Sequence, residues 1–230
     1  MGRRSIKILI MIINQSTFQF LKDLKDNNNR DWFNENKSRY IVAKENVEAW
    51  LVELIQKFSA RDKEIAGIEA KKSIMRIYRD VRFSKNKDPY KNNFGIWVSK
   101  DGRNGNYPGY YLHLAPGNCF VAGGYWMPIP EHLKMIRQEI DYAQKEFLST
   151  FNNKKTKAYF DGIDENDKLI LAPKGFPKDH PAIEYLKLKS FTLTHKFKDS
   201  ELLAKDSVMN VLEAWDALTP LNRFLQGAIA

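Results

Sequence analysis

The sequence predicts a single α+β domain, an antiparallel sheet with helices packed mainly on one face. Three observations point there. Long segments near each end and in the middle repeat apolar residues at spacings of three and four, a central stretch switches to alternation, and no linker, repeat or low-complexity run divides them. With 43% apolar and 13% aromatic content, 230 residues can enclose one large core.

Each element follows from its local pattern. Thr17 is placed to cap a short helix that presents Phe18, Leu21 and Leu24 on one side and ends in Asn27, Asn28 and Asn29. A longer helix carries Tyr40, Ala43, Val47, Trp50, Leu51, Leu54, Ile55 and Phe58 on its apolar face, opposite Lys44, Glu48 and Lys57. From Ser73 to Gly124 the period becomes two, with Phe94, Ile96 and Val98, and later Leu112 and Leu114, facing one way. Pro116, Gly117 and Asn118 form a tight turn between two strands, which makes their pairing antiparallel. Gly124 to Leu133 reads as a corner from sheet to helix, with Trp126 packed as a lid on the core. Pro130 opens a second strong helix along Leu133, Ile136, Ile140, Ala143 and Phe147. After it come "KLILAP", a short helix from Asp179 with Pro181 in its first turn, and the alternating strand "FTLTHKF". The last long helix is marked by Val208, Val211, Leu212, Trp215 and Leu218, and Thr219–Pro220 starts a separate final helix through Phe224 and Leu225.

The N-terminal "MGRRSIKILIMIINQ" imitates a secretory signal, but its apolar run is short and no small-residue cleavage site follows. Residues 1–10 are therefore expected to be a leader or non-native extension, and 11–230 the domain. That run also falls well short of the roughly 18 apolar residues a membrane span needs, so no membrane partner is expected. One cysteine, Cys119, leaves no internal disulfide to form, which points to the cytoplasm.

The net charge of +9 is local. Arg3, Arg4 and Lys7 supply part of it, and the window from Lys71 to Lys91 supplies the rest, with eight cations against Asp80 and Asp88. Duplex binders spread basic residues along a stripe, so this concentration points to a site. Read as a strand, Met75–Phe83 places Arg76, Tyr78, Asp80 and Arg82 on one face and Met75, Ile77, Arg79, Val81 and Phe83 on the other. Arg79 then has core-directed neighbours and needs a partner, either a carboxylate or an anionic ligand. Loss of strand regularity near Asp80 would turn all three arginines one way. The following "SKNKDPYKNN" is a turn-rich loop containing Asn86, Lys87 and Tyr90. Trp97, Tyr111 and His113 alternate with Ile96, Val98, Leu112 and Leu114, so rings and an imidazole share the sheet face opposite the core.

These residues suggest an intracellular protein that binds a phosphate- or carboxylate-bearing small molecule through Arg76, Arg79 and Arg82, oriented by Asp80 and Asn86. An enzyme using the same pocket would take His113 or Asp80 as general base and Tyr90 or Tyr111 as proton donor, with the arginines stabilising developing charge. A single-stranded nucleic-acid binder would stack bases on Trp97 and Tyr111. His132, His180 and His195 lack metal-ligand spacing, Cys119 has no histidine near it in sequence, and the phosphate-loop, dinucleotide and hydrolase motifs are missing, so no metal or cofactor is expected. "LAPKGFPKDHP" offers Lys174 and the Gly175 backbone as a lesser anion candidate, outweighed by a plain connecting role.

"RIYRDVRFSKNKDPYK", "PGYYLHLAPGNCFVAGG" and "LAPKGFP…HPAIEYLKLKSF" together resemble the bacterial and some fungal proteins of domain-of-unknown-function family 2461. The resemblance covers the chain from about Phe18. Its signature falls on Arg76, Arg79, Asp80, Arg82, Phe83, Asn86, Lys87 and Tyr90, and implies that these positions matter without naming a reaction.

Overall fold

The computed structural model describes residues 11–230, so the expectation for residues 1–10 lies outside it. The chain begins with α1 (Gln15–Asp26), α2 (Arg30–Glu35) and α3 (Lys37–Phe58), a 3-10 turn at Lys63–Ile65 and the single-turn α4 (Ala70–Ser73). Strands β1 (Phe94–Val98), β2 (Gly109–Leu114) and β3 (Cys119–Tyr125) follow as a meander. Then come α5 (Pro130–Tyr142), α6 (Gln144–Asn152), α7 (Lys154–Lys157) and α8 (Ile183–Leu186), the returning strand β4 (Phe191–Phe197), α9 (Asp199–Leu203) and α10 (Ser207–Ala228). The sheet order is β1-β2-β3-β4 with every pairing antiparallel, and the fold is the expected α+β domain.

Strand alternation sorts the sheet into a dry face and an open one. Ile96, Leu112 and Val121 stand in register on the dry face, with Val98, Tyr110 and Leu193 in the adjoining row, and all are buried. Trp215 of α10 meets Phe58 of α3 at 5.6 Å and Tyr110 of β2 at 5.3 Å, so three aromatic rings join both long helices to the sheet. Asn118 N–H donates to Ala115 O at 2.8 Å across the expected turn at Pro116–Gly117.

Several boundaries differ from expectation. α1 begins before Thr17, which lies buried in its first turn and donates from Oγ1 to Asn46 Oδ1 on α3 at 2.8 Å. The helix after Pro130 divides at Ala143 (φ −116°, ψ 43°), although its apolar stripe keeps phase across the break. Pro220 lies inside a continuous α10; its ring denies Asp216 O an N–H partner, at a cost of about 3 kcal/mol, but Leu218, Leu221 and Leu225 stay buried on one stripe and offset it. The helix expected from Asp179 shrinks to α8, and "KLILAP" forms no element beyond an isolated bridge from Lys168 to Leu188. Trp126 is 61% exposed and does not cover the core.

Met75–Phe83 is the largest correction. Only Ile74 and Tyr78 make bridges, to Ile96 and Tyr90, and the chain between Arg79 and Pro89 is a loop. Exposure still alternates as expected from Met75 to Arg82, with Arg76, Tyr78, Asp80 and Arg82 exposed and Met75, Ile77, Arg79 and Val81 less so; only Phe83 departs, so what fails is the strand and not the sorting of the arginines.

Candidate functional site

The loop after Tyr78 largely satisfies its own polar groups. Arg82 grips Asp80 with two hydrogen bonds, Nε to Oδ1 at 3.0 Å and Nη2 to Oδ2 at 2.7 Å, and this guanidinium holds the Asp80 carboxyl down to about 2. Arg79 is only partly exposed and lies 3.8 Å from Asp88, with Ser84 Oγ at 3.4 Å from Nη2. Lys87 donates to Val81 O at 3.0 Å, and Asn86 Oδ1 accepts from Asp88 N–H at 2.8 Å. Tyr90 is buried, its ring stacked on Phe33 at 3.9 Å and its backbone paired with the Asn28 side chain. The loop thus gives Arg79 and Arg82 each a carboxylate, and the residue after them, Phe83, is 96% exposed.

A hollow lies instead over the open face of the sheet. A cavity of about 550 Å³ is lined by Trp97 of β1, Tyr111 of β2, Phe120 and Ala122 of β3, and Thr192 and Thr194 of β4, all on strand positions that alternate with the buried rows. Its size is that of a small-molecule pocket. Met75, Tyr107, Tyr125, Trp126 and Met127 supply an apolar rim, and Arg103, Asn106, Asp164 and Asn166 its polar groups. The Trp97 ring can lie along the sheet because Gly109 is beside it; a Cβ there would come 2.9 Å from Trp97 Cζ2 and 2.6 Å from Val98 O. Met127 adopts φ 45°, a left-handed conformation held by the hydrogen bond from its N–H to Ser190 Oγ at 2.9 Å.

One cation, Arg103, lines the β1 end of this cavity, and two more lie near it. Arg103 Nη1 donates to Ile74 O at 2.7 Å, which anchors the guanidinium beside the outer edge of β1. Lys91, whose N–H donates to Ile77 O at 2.7 Å, sits close enough that burial and then the charges of Arg76 and Arg103 lower its pKa. Among the described residues none of these three cations forms a salt bridge, although Arg76 lies near enough to Asp80 to help hold its carboxyl down.

His113 lies in the row next to Trp97 and Tyr111, stacked on Phe120 at 4.7 Å. Burial lifts the Tyr111 phenol to about 12, so it stays protonated and donates to His113 Nδ1 at 3.0 Å; Asn93 Nδ2 approaches the same nitrogen at 3.4 Å. Two donors on Nδ1 put the imidazole proton on Nε2. Burial also lowers the His113 pKa below 6.5. The unfolded chain then binds more protons just below pH 6.5, so the stability His113 contributes is present above that pH and is lost as pH falls through the folded value. Urea unfolding between pH 7 and 5 should show this slope in the wild type and a shallower one in His113→Phe; equal slopes would contradict it.

Of the residues singled out in the sequence, Trp97 and Tyr111 line the cavity, His113 adjoins it and Arg76 lies near its β1 end. Arg76, Arg79, Asp80, Arg82, Asn86, Lys87 and Tyr90 do not line it. Arg103 and Asp164 went unrecognised. Arg103 shares a Gly/Asn-rich hairpin loop with Lys100 and Asp101, and that loop carries no motif. A signal for Asp164 existed: Thr192 and Thr194 alternate onto one strand face and need an acceptor, and both hydroxyls donate to Asp164 Oδ2 at 2.8 Å. The remaining histidines are structural, with His180 bonded to Asp141, His132 to Tyr125 and His195 to Tyr159 O. Among the described residues no His/Cys/Asp/Glu group could hold a metal ion, and no helix is long and apolar enough to cross a membrane.

A family model described as "Conserved hypothetical protein (DUF2461)" matches residues 16–224. No curated protein and no solved structure matches the chain.

Proposed function

We propose that this chain, which belongs to that family of conserved hypothetical proteins, is an intracellular protein that binds an anionic small molecule on the open face of its sheet. The observation that carries this reading is the aromatic cavity with Arg103 at one end, Lys91 and Arg76 near it, and no salt bridge on any of the three among the described residues. Keeping like charges together unpaired costs stability, and a phosphate or carboxylate recovers that cost by accepting charge-assisted hydrogen bonds. Trp97, Tyr111 and Phe120 would receive the ligand's apolar or planar body. The R-x-x-R-D-x-R-F run contributes Arg76 directly, while Arg79, Asp80 and Arg82 build the loop that follows the edge segment.

Thermal-shift and calorimetric titrations with ATP, glucose 6-phosphate, acetyl-coenzyme A and citrate at low salt test the proposal. At least one should raise the melting temperature. Arg76→Gln removes an exposed charge, so it should leave the unliganded protein within about 0.5 kcal/mol of wild type while weakening binding roughly tenfold or more. Trp97→Ala should weaken the same ligand. A flat response across the panel, or binding untouched by both substitutions, would contradict the site. Single-stranded oligonucleotides are the control: a strand binder loses affinity steeply and linearly in log salt.

A further inference from the structure

The end of the cavity away from the cations carries the opposite charge. Asp164 lines it with Oδ2 held by Thr192 and Thr194, while Oδ1 has no partner and the carboxylate has no ion pair among the described residues. Asn166 lines the cavity beside it, also without a side-chain hydrogen bond among the described residues. Asp164 Oδ1 remains accessible from the cavity, where it can accept from an N–H donor of a ligand. Because both lone pairs of Oδ2 are taken by the threonine hydroxyls, only Oδ1 is available, which suits a single exocyclic amine better than a two-point donor edge.

The row Trp97–Tyr111–Ala122–Thr194 crosses the whole sheet in register. Three inter-strand spacings make it about 14 Å long, and Arg103 lies beyond its β1 end, bonded to Ile74. Ala122 is the one small side chain in the row and leaves room above it, bounded by Tyr111 and Phe120. The span requires more than a ring and a sugar, and three cations match more than one negative charge.

Resting on the anion-binding reading above, we infer that the ligand belongs to the nucleoside polyphosphate class, with a planar base over Ala122, its exocyclic amine on Asp164 Oδ1, and its phosphates at Arg103, Arg76 and Lys91. The test compares ATP with ITP, which replaces the amine by a carbonyl, and with tripolyphosphate, which has no base, in metal-free buffer at low salt. Quenching of tryptophan fluorescence reports binding, since Trp97 and Trp126 line the cavity. The expected result is ATP binding about tenfold or more tighter than ITP, with the preference lost in Asp164→Asn, whose amide oxygen still accepts from the two threonines and whose –NH2 meets a carbonyl. Equal ATP and ITP affinities in the wild type, a comparison that needs no variant to fold, would overturn the base assignment while leaving the anion site standing. So would tripolyphosphate binding as tightly as ATP, or a preference that persists in Asp164→Asn. Binding of none of the three would overturn this inference, and the panel above separately decides whether the anion site falls with it.

Discussion

Gly124→Ala should destabilise the protein by roughly 4 kcal/mol or more, enough to deplete folded material at 37 °C. Gly124 pairs with Thr192 at φ +115°, a backbone conformation that L side chains rarely adopt. A Cβ there would stand 1.9 Å from the carbonyl oxygen of Phe191, a backbone atom that cannot rotate away. Either β3 and β4 separate or the ladder around Phe191–Thr192 breaks. The same strands carry Ala122, Thr192 and Thr194, so the cavity floor would be lost with the pairing. Urea unfolding or soluble yield measures the effect, and near-wild-type stability would show that the strand junction is far more plastic than its geometry implies.

Trp215→Ala should cost about 3–5 kcal/mol, the range for truncating a buried tryptophan. At roughly 2–4 °C per kcal/mol for a domain of this size, its melting temperature should fall by on the order of 10 °C. Trp215 is fully buried between Phe58 and Tyr110, and its Nε1 approaches Tyr111 O at 3.4 Å. The indole therefore supports, from the dry side, the strand whose other side presents the Tyr111 ring to the cavity. Weaker ligand binding by the surviving folded fraction is expected as well. A melting temperature within about 2 °C of wild type would mean that neighbouring side chains collapse into the space.

Legibility of the sequence followed the strength of periodic patterns. α3 and β4 were clear because Val47, Trp50, Leu54 and Phe58, and the "FTLTHKF" alternation, repeat without interruption. The sheet's two faces could be assigned for the same reason, which is how Trp97 and Tyr111 came to be named. Where punctuation and pattern conflicted, the buried stripe prevailed: Thr219–Pro220 looks like a helix start, yet the apolar stripe runs through it. The break at Ala143 has neither glycine nor proline to announce it.

The candidate site was half legible for a different reason. Counting charges located a cationic window but could not tell which cations a carboxylate would claim. Asp80 and Asp88 form ion pairs with Arg82 and Arg79, and among the described residues Arg76 and Lys91 form none; both lie near Arg103, which comes from another loop. Asp164 reaches the cavity only because its N–H donates to Thr192 O at 2.7 Å and fixes that loop on β4. Such long-range pairings have no local signature.

A crystal structure of the protein grown with saturating ATP tests the central claim most directly. Phosphate density within hydrogen-bond distance of Arg103 and Arg76, continuous with a ring over the Trp97–Tyr111–Ala122 row, is the expected result. Density confined to the Arg79–Arg82 loop, or an unfilled hollow over the sheet at full saturation, would contradict it.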